Sequence, residues 1–328
     1  MNQCGQNSSA QEVSAALCAG RRWLVASHFN PDPDAYGSMC GLSLALRQCG
    51  KETAVVNESG IFSIYGFIPG IEEVQSQVPP GPWDGVVVCD CGDADRVGDV
   101  LKPELLKVRP LINIDHHISN DFFGDLNFVR SNACSSCELV LEVVSALGGA
   151  LTPQIAECLL TGIIADTGLF RYSSVSAQTF AIAEKLERAG AHAHSIARAL
   201  YGDRRISAVR LQAEVLRNLA LHFEGKVSEV VITSEIMAAC GAAPEDCESL
   251  VEAARDIAGV VIAVSIRRDK DLWKVSLRSK DERLNLSELA AEFKGGGHRQ
   301  AAAFRWRGAL EDLRSRLLAR LSEELQKL

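Results

Sequence analysis

Histidine and aspartate recur in this sequence at the places where apolar runs stop. The stretch Ser27-His-Phe-Asn-Pro-Asp-Pro-Asp-Ala-Tyr-Gly-Ser38 sets His28, Asp32 and Asp34 close together and stiffens them with Pro31 and Pro33. An imidazole and two carboxylates on so short a segment make half of a site for a divalent cation. The same Asn-Pro-Asp-Pro-Asp run also reads as a turn capping a helix, since these are favoured turn residues. Three more apolar segments end on the same residue types: 86–90 on Asp90, 111–117 on Asp115, His116 and His117, and 159–168 on Asp166. One such aspartate could be a cap. Four carboxylates leaving apolar segments repel one another once buried together, unless cations neutralise them. Asp32, Asp34, Asp90 and Asp166 balance two divalent cations, and His28 and His116 add neutral nitrogen ligands. A carboxylate–imidazole set without thiolate favours Mn²⁺, with Co²⁺ or Mg²⁺ next, over structural zinc.

Parallel strands position such residues well, because ligands gather at the carboxyl ends of strands in an open α/β sheet. Residues 22–28, 52–57, 85–90 and 111–115 are short, nearly continuous apolar runs, as strands buried on both faces should be. Helical periods occupy 37–49, 135–147 and 177–189, with Gly50 and Gly190 at the expected C-caps. The alternation predicts an α/β fold with a mostly parallel sheet and flanking helices. Residues 192–222 read as helical and charged, without a strand signal. Beyond them, strands are expected at 226–233, 259–267, 273–278 and 301–306, and amphipathic helices at 287–293 and 310–325. The division is therefore a first domain over 1–191, a helical connector over 192–222 and a smaller mixed α/β domain over 223–328.

Composition fits this layout. The 328 residues are 47% hydrophobic and 23% charged, which excludes domain-scale disorder. No apolar run reaches the roughly 18 residues of a membrane helix. The start MNQCGQNSSA lacks the basic and apolar regions of a signal peptide, and eleven scattered cysteines point to reduced thiols in the cytoplasm. The net charge of −8 is unevenly spread, with 14 Lys+Arg against 23 Asp+Glu in residues 1–204 and 20 against 19 in residues 205–328. An acidic first part suits cations, and the locally basic 278–307 suits phosphates. There Gly295, Gly296 and Gly297 permit close approach of backbone N–H groups to an anion, beside His298, Arg299 and Arg278. The lone Cys134-Ser-Ser-Cys137 pair has no second CxxC, so zinc or redox chemistry is not expected of it.

Taken together, the four aspartate-bearing motifs and the triplet Asp115-His116-His117 resemble the DHH family of phosphoesterases. The segments Val275-Ser-Leu-Arg-Ser-Lys280 and Gly295-Gly-Gly-His-Arg-Gln-Ala-Ala-Ala303 resemble the family's associated C-terminal domain. The resemblance runs from about residue 20 to the end. It implies that His28, Asp32 and Asp90 hold one metal and that Asp34, Asp90, His116 and Asp166 hold the other, with Asp90 bridging. It implies that Asp115 orients the histidine pair, and that His117 faces the substrate phosphate and assists the leaving group. Arg278, Ser279 and His298 match substrate-binding positions, and the glycine run belongs with them. Lys294 and Ala303 stand where the family usually has glycine, so the loop departs from the pattern there. The Tyr65-Gly-Phe-Ile-Pro-Gly70 stretch resembles the branch that degrades short oligoribonucleotides to 5′-mononucleotides and removes the 3′-phosphate of 3′-phosphoadenosine 5′-phosphate. The expected partners are short single-stranded RNA or DNA oligonucleotides and small nucleotides, with no membrane, and a homodimer is admitted. A cyclic-dinucleotide phosphodiesterase on the same scaffold is the alternative, and a non-catalytic nucleotide-sensing module is a more distant one.

Overall fold

The computed structural model describes residues 7–247, 249–297 and 299–328 and divides the chain into two compact units, Met1–Asp203 and Arg204–Leu328. The first unit opens with α1 (Ala10–Ala19), started by a reciprocal cap between Ser9 and Glu12. Its sheet is five parallel strands, β1 (Arg22–Ala26), β2 (Glu52–Val56), β3 (Gly85–Cys89), β4 (Leu111–Asp115) and β5 (Leu126–Val129), in the order β2-β1-β3-β4-β5. Parallel pairing requires crossovers. Helix α2 (Pro33–Gln48) joins β1 to β2, and α3 (Lys102–Leu105) lies between β3 and β4. Four helices follow the sheet: α4 (Ser136–Leu147), α5 (Pro153–Asp166), α6 (Ala177–Arg188) and α7 (Ala193–Ala197).

Strand alternation builds two apolar layers. Trp23, Val25, Val87, Ile112 and Ile114 face one core with Met39, Leu42 and Leu46 of α2 and Leu139 and Val143 of α4. Leu24, Val86, Val88 and Leu111 face the other, with Leu101 and Leu105. All five residues of β3 and of β4 are buried, which explains why both read as unbroken apolar runs. Because β1 pairs with β3 as well as with β2, the chain leaves β1 and β3 in opposite directions. The crevice at their carboxyl ends is where such sheets bind ligands.

The second unit opens with α8 (Ile206–Arg217) and carries a mixed six-stranded sheet. Its elements are β6 (Ala220–His222), β7 (Val227–Ile232), α9 (Ser234–Cys240), α10 (Leu250–Arg255), β8 (Ile262–Asp269), β9 (Leu272–Ser279), α11 (Leu286–Glu292), β10 (Gly296–Gly297), β11 (Ala301–Trp306) and α12 (Leu310–Leu325). The order is β10-β11-β9-β8-β7-β6, with β7 and β8 parallel and the other pairs antiparallel. Leu313, Leu317 and Leu321, one helical stripe of α12, pack against Val264, Ile266, Val275 and Leu277.

Several elements differ from the sequence expectation. Helix α2 begins at Pro33 rather than near Gly37, because Asp32 caps it and proline is well suited to the first helical position. The apolar run before Asp166, which the sequence leaves open between a strand and another core segment, is helix α5; a short buried run has no period that separates the two. Residues 220–222, within the stretch expected to be helical, form strand β6 by pairing with β7. Helix α1 and strand β5 are additions to the expected elements. Among the described residues, no helix is long and apolar enough to cross a membrane.

Candidate metal centre

Loops and helix starts at the carboxyl edge of the parallel sheet bring six side chains together. His28 follows β1, Asp90 follows β3, His116 follows β4, Asp32 and Asp34 begin α2, and Asp166 ends α5. Ligating atoms of His28, Asp32 and Asp90 lie within 4.8 Å of one another, as do those of Asp34, His116 and Asp166. Asp90 stands between the two groups. Its Oδ2 is 3.5 Å from His28 Nε2, and its Oδ1 is 3.6 Å from His116 Nε2. One carboxylate thus turns one oxygen to each imidazole, the arrangement a carboxylate shared by two cations requires. Asp90 itself has φ of 51°, a left-handed conformation uncommon outside glycine.

The protein fixes the orientation of most of these candidate ligands. His28 Nδ1 is 2.9 Å from the Phe29 carbonyl and His116 Nδ1 is 3.3 Å from the Ala133 carbonyl. A carbonyl only accepts, so in these bonds Nδ1 carries the proton, which leaves Nε2 as the atom that faces the carboxylates and that a cation would take. Asp32 Oδ1 accepts from the Asp34 and Ala35 N–H groups, so the aspartate caps the helix while still facing the cluster. Asp34 accepts from the N–H groups of Ser136 and Cys137 at 2.7 and 3.1 Å, the positive end of α4. The Ser136 hydroxyl donates to Asp90 Oδ1 at 3.0 Å.

His117 turns the other way. Its Nδ1 is 2.7 Å from Asp115 Oδ1, and Asn120 donates to Asp115 Oδ2 at 2.6 Å and to Asn113 Oδ1 at 2.8 Å. Nδ1 also lies 3.7 Å from Asp90 Oδ1, and His117 groups with Asp90 and His116 within ligand range. The hydrogen bond to Asp115 occupies Nδ1 and leaves Nε2 as the atom available for other chemistry.

Electrostatics test whether this set suits cations. Burial, with the charges of Asp90 and Asp166, pushes the Asp34 carboxyl well above the usual carboxylate range. Shielding by surrounding protein and the same two neighbours push Asp32 up to about 6, although the residue keeps an exposed edge. Burial lowers His116, but its hydrogen bond to Asp166 and the charges of Asp166, Asp90 and Asp34 more than offset this, so it is held well above the ordinary histidine value. Burial raises Asp90, and the contact with His28 and the His117, His28 and His116 charges overcome it to hold Asp90 below the carboxylate range. Without cations the cluster thus favours proton uptake at Asp34 and His116. Divalent cations would displace these protons and satisfy the same oxygens and nitrogens, so the donor set fits two hard or borderline cations.

Several supporting residues carry no catalytic group and are not singled out by the sequence. Ser136 positions the candidate ligand Asp90, and Asn120 positions Asp115, through the bonds above. Gly162 backs Asp34 so closely that an added Cβ would lie 2.3 Å from Asp34 Oδ1 and 2.4 Å from Cys137 Sγ. The Ser135 side chain accepts from the Glu138 N–H and starts α4, so a Ser-x-x-Glu pattern is the available sequence signal for the N-terminus that faces Asp34. Cys134 and Cys137 are buried free thiols. Burial, with the nearby Glu138, lifts Cys134 to about 12, and burial, with Asp34, lifts Cys137 far above the thiol range, so neither supplies a thiolate at neutral pH.

The basic positions lie in the second unit. Arg278 is on β9, where its Nε donates to Glu252 at 2.7 Å and one terminal nitrogen donates to the Leu277 carbonyl. Glu252 also pairs with Arg255 at 2.7 Å. Ser279 is buried and donates to the Asp281 carbonyl at 3.1 Å. Close packing already demands two of the three glycines, since a Cβ would lie 2.3 Å from the Ala303 carbonyl at Gly295 and 2.4 Å from the Ala301 carbonyl at Gly297. At Gly296 it would meet nothing within 4 Å. Lys294 takes a φ of 60°, the left-handed conformation glycine adopts freely, so the loop keeps this backbone despite the replacement. Ala303 pairs with Gly296 in the hairpin. His298 lies outside the described residues.

Comparison with known proteins agrees with this layout. The DHH family, N-terminal domain, matches residues 22–163, and the DHHA1 domain matches residues 230–327. The bifunctional oligoribonuclease and PAP phosphatase NrnA of Thermus thermophilus is 33% identical over 307 residues, covering 92% of this chain and 90% of that protein. The protein of the same name from Bacillus subtilis is 30% identical over 274 residues, covering 83% and 85%. Among solved structures, an exopolyphosphatase-related protein from Bacteroides fragilis superposes with a TM-score of 0.87 at 24% identity, over 97% of this chain and 95% of that one.

Proposed function

The chain belongs to the DHH family of phosphoesterases, and on that premise we propose that it hydrolyses short oligoribonucleotides to 5′-mononucleotides and removes the 3′-phosphate of 3′-phosphoadenosine 5′-phosphate, using two Mn²⁺ ions. The observation that carries this reading is the split carboxylate of Asp90, one oxygen toward His28 and the other toward His116. The relatives named for both activities support the choice of substrates, since similarity to them runs through both units.

In this reading His28, Asp32 and Asp90 hold one cation, and Asp34, Asp90, His116 and Asp166 hold the other. When bound, the cations supply Lewis acidity at the reacting phosphoryl group. The protein's own groups do the rest. Asp115, held by Asn120, fixes the His117 ring through Nδ1, so His117 presents Nε2 for a proton or hydrogen bond at the leaving oxygen. Ser136 and the first N–H groups of α4 keep Asp90 and Asp34 in place, which limits reorganisation during the reaction. Arg278, Ser279, Gly295, Gly296, Gly297 and His298 are assigned to the substrate's distal phosphate or nucleotide. The ten free cysteines among the described residues fit a reducing cytoplasm.

A substrate panel with Mn²⁺, Co²⁺ and Mg²⁺ in turn tests the proposal, using dinucleotides, 3′-phosphoadenosine 5′-phosphate, cyclic dinucleotides and pyrophosphate. Turnover of the first two, fastest with Mn²⁺, is expected. Preference for cyclic dinucleotides would move the protein to another activity on the same scaffold.

A further inference from the structure

The ends of α11 and β11 and one side of α12 frame a cleft of about 490 Å³ within the second unit. Five cations line it, Lys294, Arg305, Arg307, Arg316 and Arg320, against one carboxylate, Glu292. Arg320 is engaged by Glu292, Glu323 and Glu324 at 2.7–3.1 Å. The other four form no ion pair among the described residues, and all four side chains are exposed. The chain as a whole has a net charge of −8, so this concentration is not a by-product of a basic protein. Like charges so close repel, and a bound polyanion relieves the repulsion.

The floor of the cleft is aromatic. Arg316 lies over the Trp306 ring at 5.3 Å, and Phe293 meets Trp306 edge-on at 6.2 Å and stacks on Phe304 at 4.4 Å. The place is separate from Arg278. On the sheet Ala301 pairs with Arg278, whereas Trp306 pairs with Trp273. Five residues of strand separate the two positions, about 17 Å at roughly 3.4 Å per residue.

We propose that this cleft binds the phosphodiester backbone of a single-stranded oligonucleotide, with bases resting on the Arg316 guanidinium and Trp306. Four unpaired cations exceed what one phosphate monoester of charge about −2 can match, which favours a run of phosphates. Planar guanidinium and indole surfaces stack on any base, which favours a nucleic acid over a bare polyphosphate. The choice of strand rests on the oligonucleotide reading above, but binding does not depend on turnover.

The test is fluorescence anisotropy of a labelled oligoadenylate hexamer with the full chain in chelator, where hydrolysis is suppressed, across a range of salt concentrations. The variant Arg305→Glu/Arg307→Glu changes two exposed side chains without ion-pair partners, and its thermal unfolding should match the parent. Its affinity should fall at least about tenfold, and the slope of log affinity against log salt should shrink by about 0.7 for each phosphate the variant no longer neutralises. Unchanged affinity and slope would overturn the site. Equal competition by inorganic polyphosphate of matched phosphate number would overturn the nucleic-acid assignment. Failure of the parent to hydrolyse dinucleotides would fall on the proposed activity, while the binding result still decides the cleft.

Discussion

The two units treat charge in opposite ways. In the first, carboxylates and imidazoles are drawn into a buried cluster where Asp34 and Asp90 reach 0% and 2% exposure. In the second, the cations that bear on a substrate lie nearer the surface, either paired, as half-buried Arg278 is with Glu252, or unpaired and exposed, as around Trp306. Burying like charges is costly, so the first unit must surround them with fixed donors such as Ser136 and the start of α4. The exposed cations of the second unit need no such scaffold, because water screens them. The buried cluster is committed to its ligands by folding, whereas the surface cations are available to a substrate that arrives and leaves.

Changes to the buried carboxylates and imidazoles themselves should therefore have the larger effects. Asp90→Ala removes the carboxylate common to both groups, and hydrolysis should drop by about a thousandfold or more with bound metal reduced. Metal analysis beside a rate assay checks this, and full activity with both metals retained would remove Asp90 from the centre. His117→Ala separates chemistry from metal holding. It should lower turnover about a hundredfold or more while bound metal stays at the parent level. Loss of a cation in that variant would make His117 a ligand, a role its proximity to Asp90 allows.

On the exposed side, Arg278→Ala should cost about ten- to hundredfold in kcat/KM on a dinucleotide, since it removes one charge-assisted hydrogen bond worth roughly 1.5–3 kcal/mol. An activated ester such as bis-p-nitrophenyl phosphate, with no distal phosphate to hold, should suffer much less. Equal losses on both substrates would place Arg278 at the reacting phosphate instead. The smallest effect is expected for Ser136→Ala, about tenfold in activity or metal affinity, because the Asp90 carboxylate loses a positioning bond but keeps its imidazole neighbours. No change at all in metal affinity or rate would mean that the Ser136 hydroxyl is idle.

Legibility in the sequence follows the same divide. His28, Asp90 and His116 are readable because strands buried on both faces end abruptly on polar residues, and the sheet then fixes where those ends lie. Asp166 stands out as a ligand candidate although its segment is a helix, since the chemistry at the end of an apolar run does not depend on the element that delivers it. The supporting residues are hidden for a different reason. Ser136 and Gly162 act through contacts across long stretches of chain, with Ser136 and Asp90 separated by 46 residues, whereas Asn120 reaches Asp115 from a loop that no sequence pattern marks. The short strands β5 and β6 are invisible because three or four residues show no period and take their conformation from their partners. In the second unit the glycine run reads as an anion loop, yet packing against Ala301 and Ala303 already accounts for Gly295 and Gly297. Only Gly296 keeps open space that the packing does not require.

The most direct measurement is a titration of Mn²⁺ into chelator-stripped full chain, with bound metal and dinucleotide hydrolysis followed on the same samples. Two cations per chain should bind, and activity should appear in step with the shared centre filling. Undiminished hydrolysis by protein shown to hold no divalent metal would contradict the account.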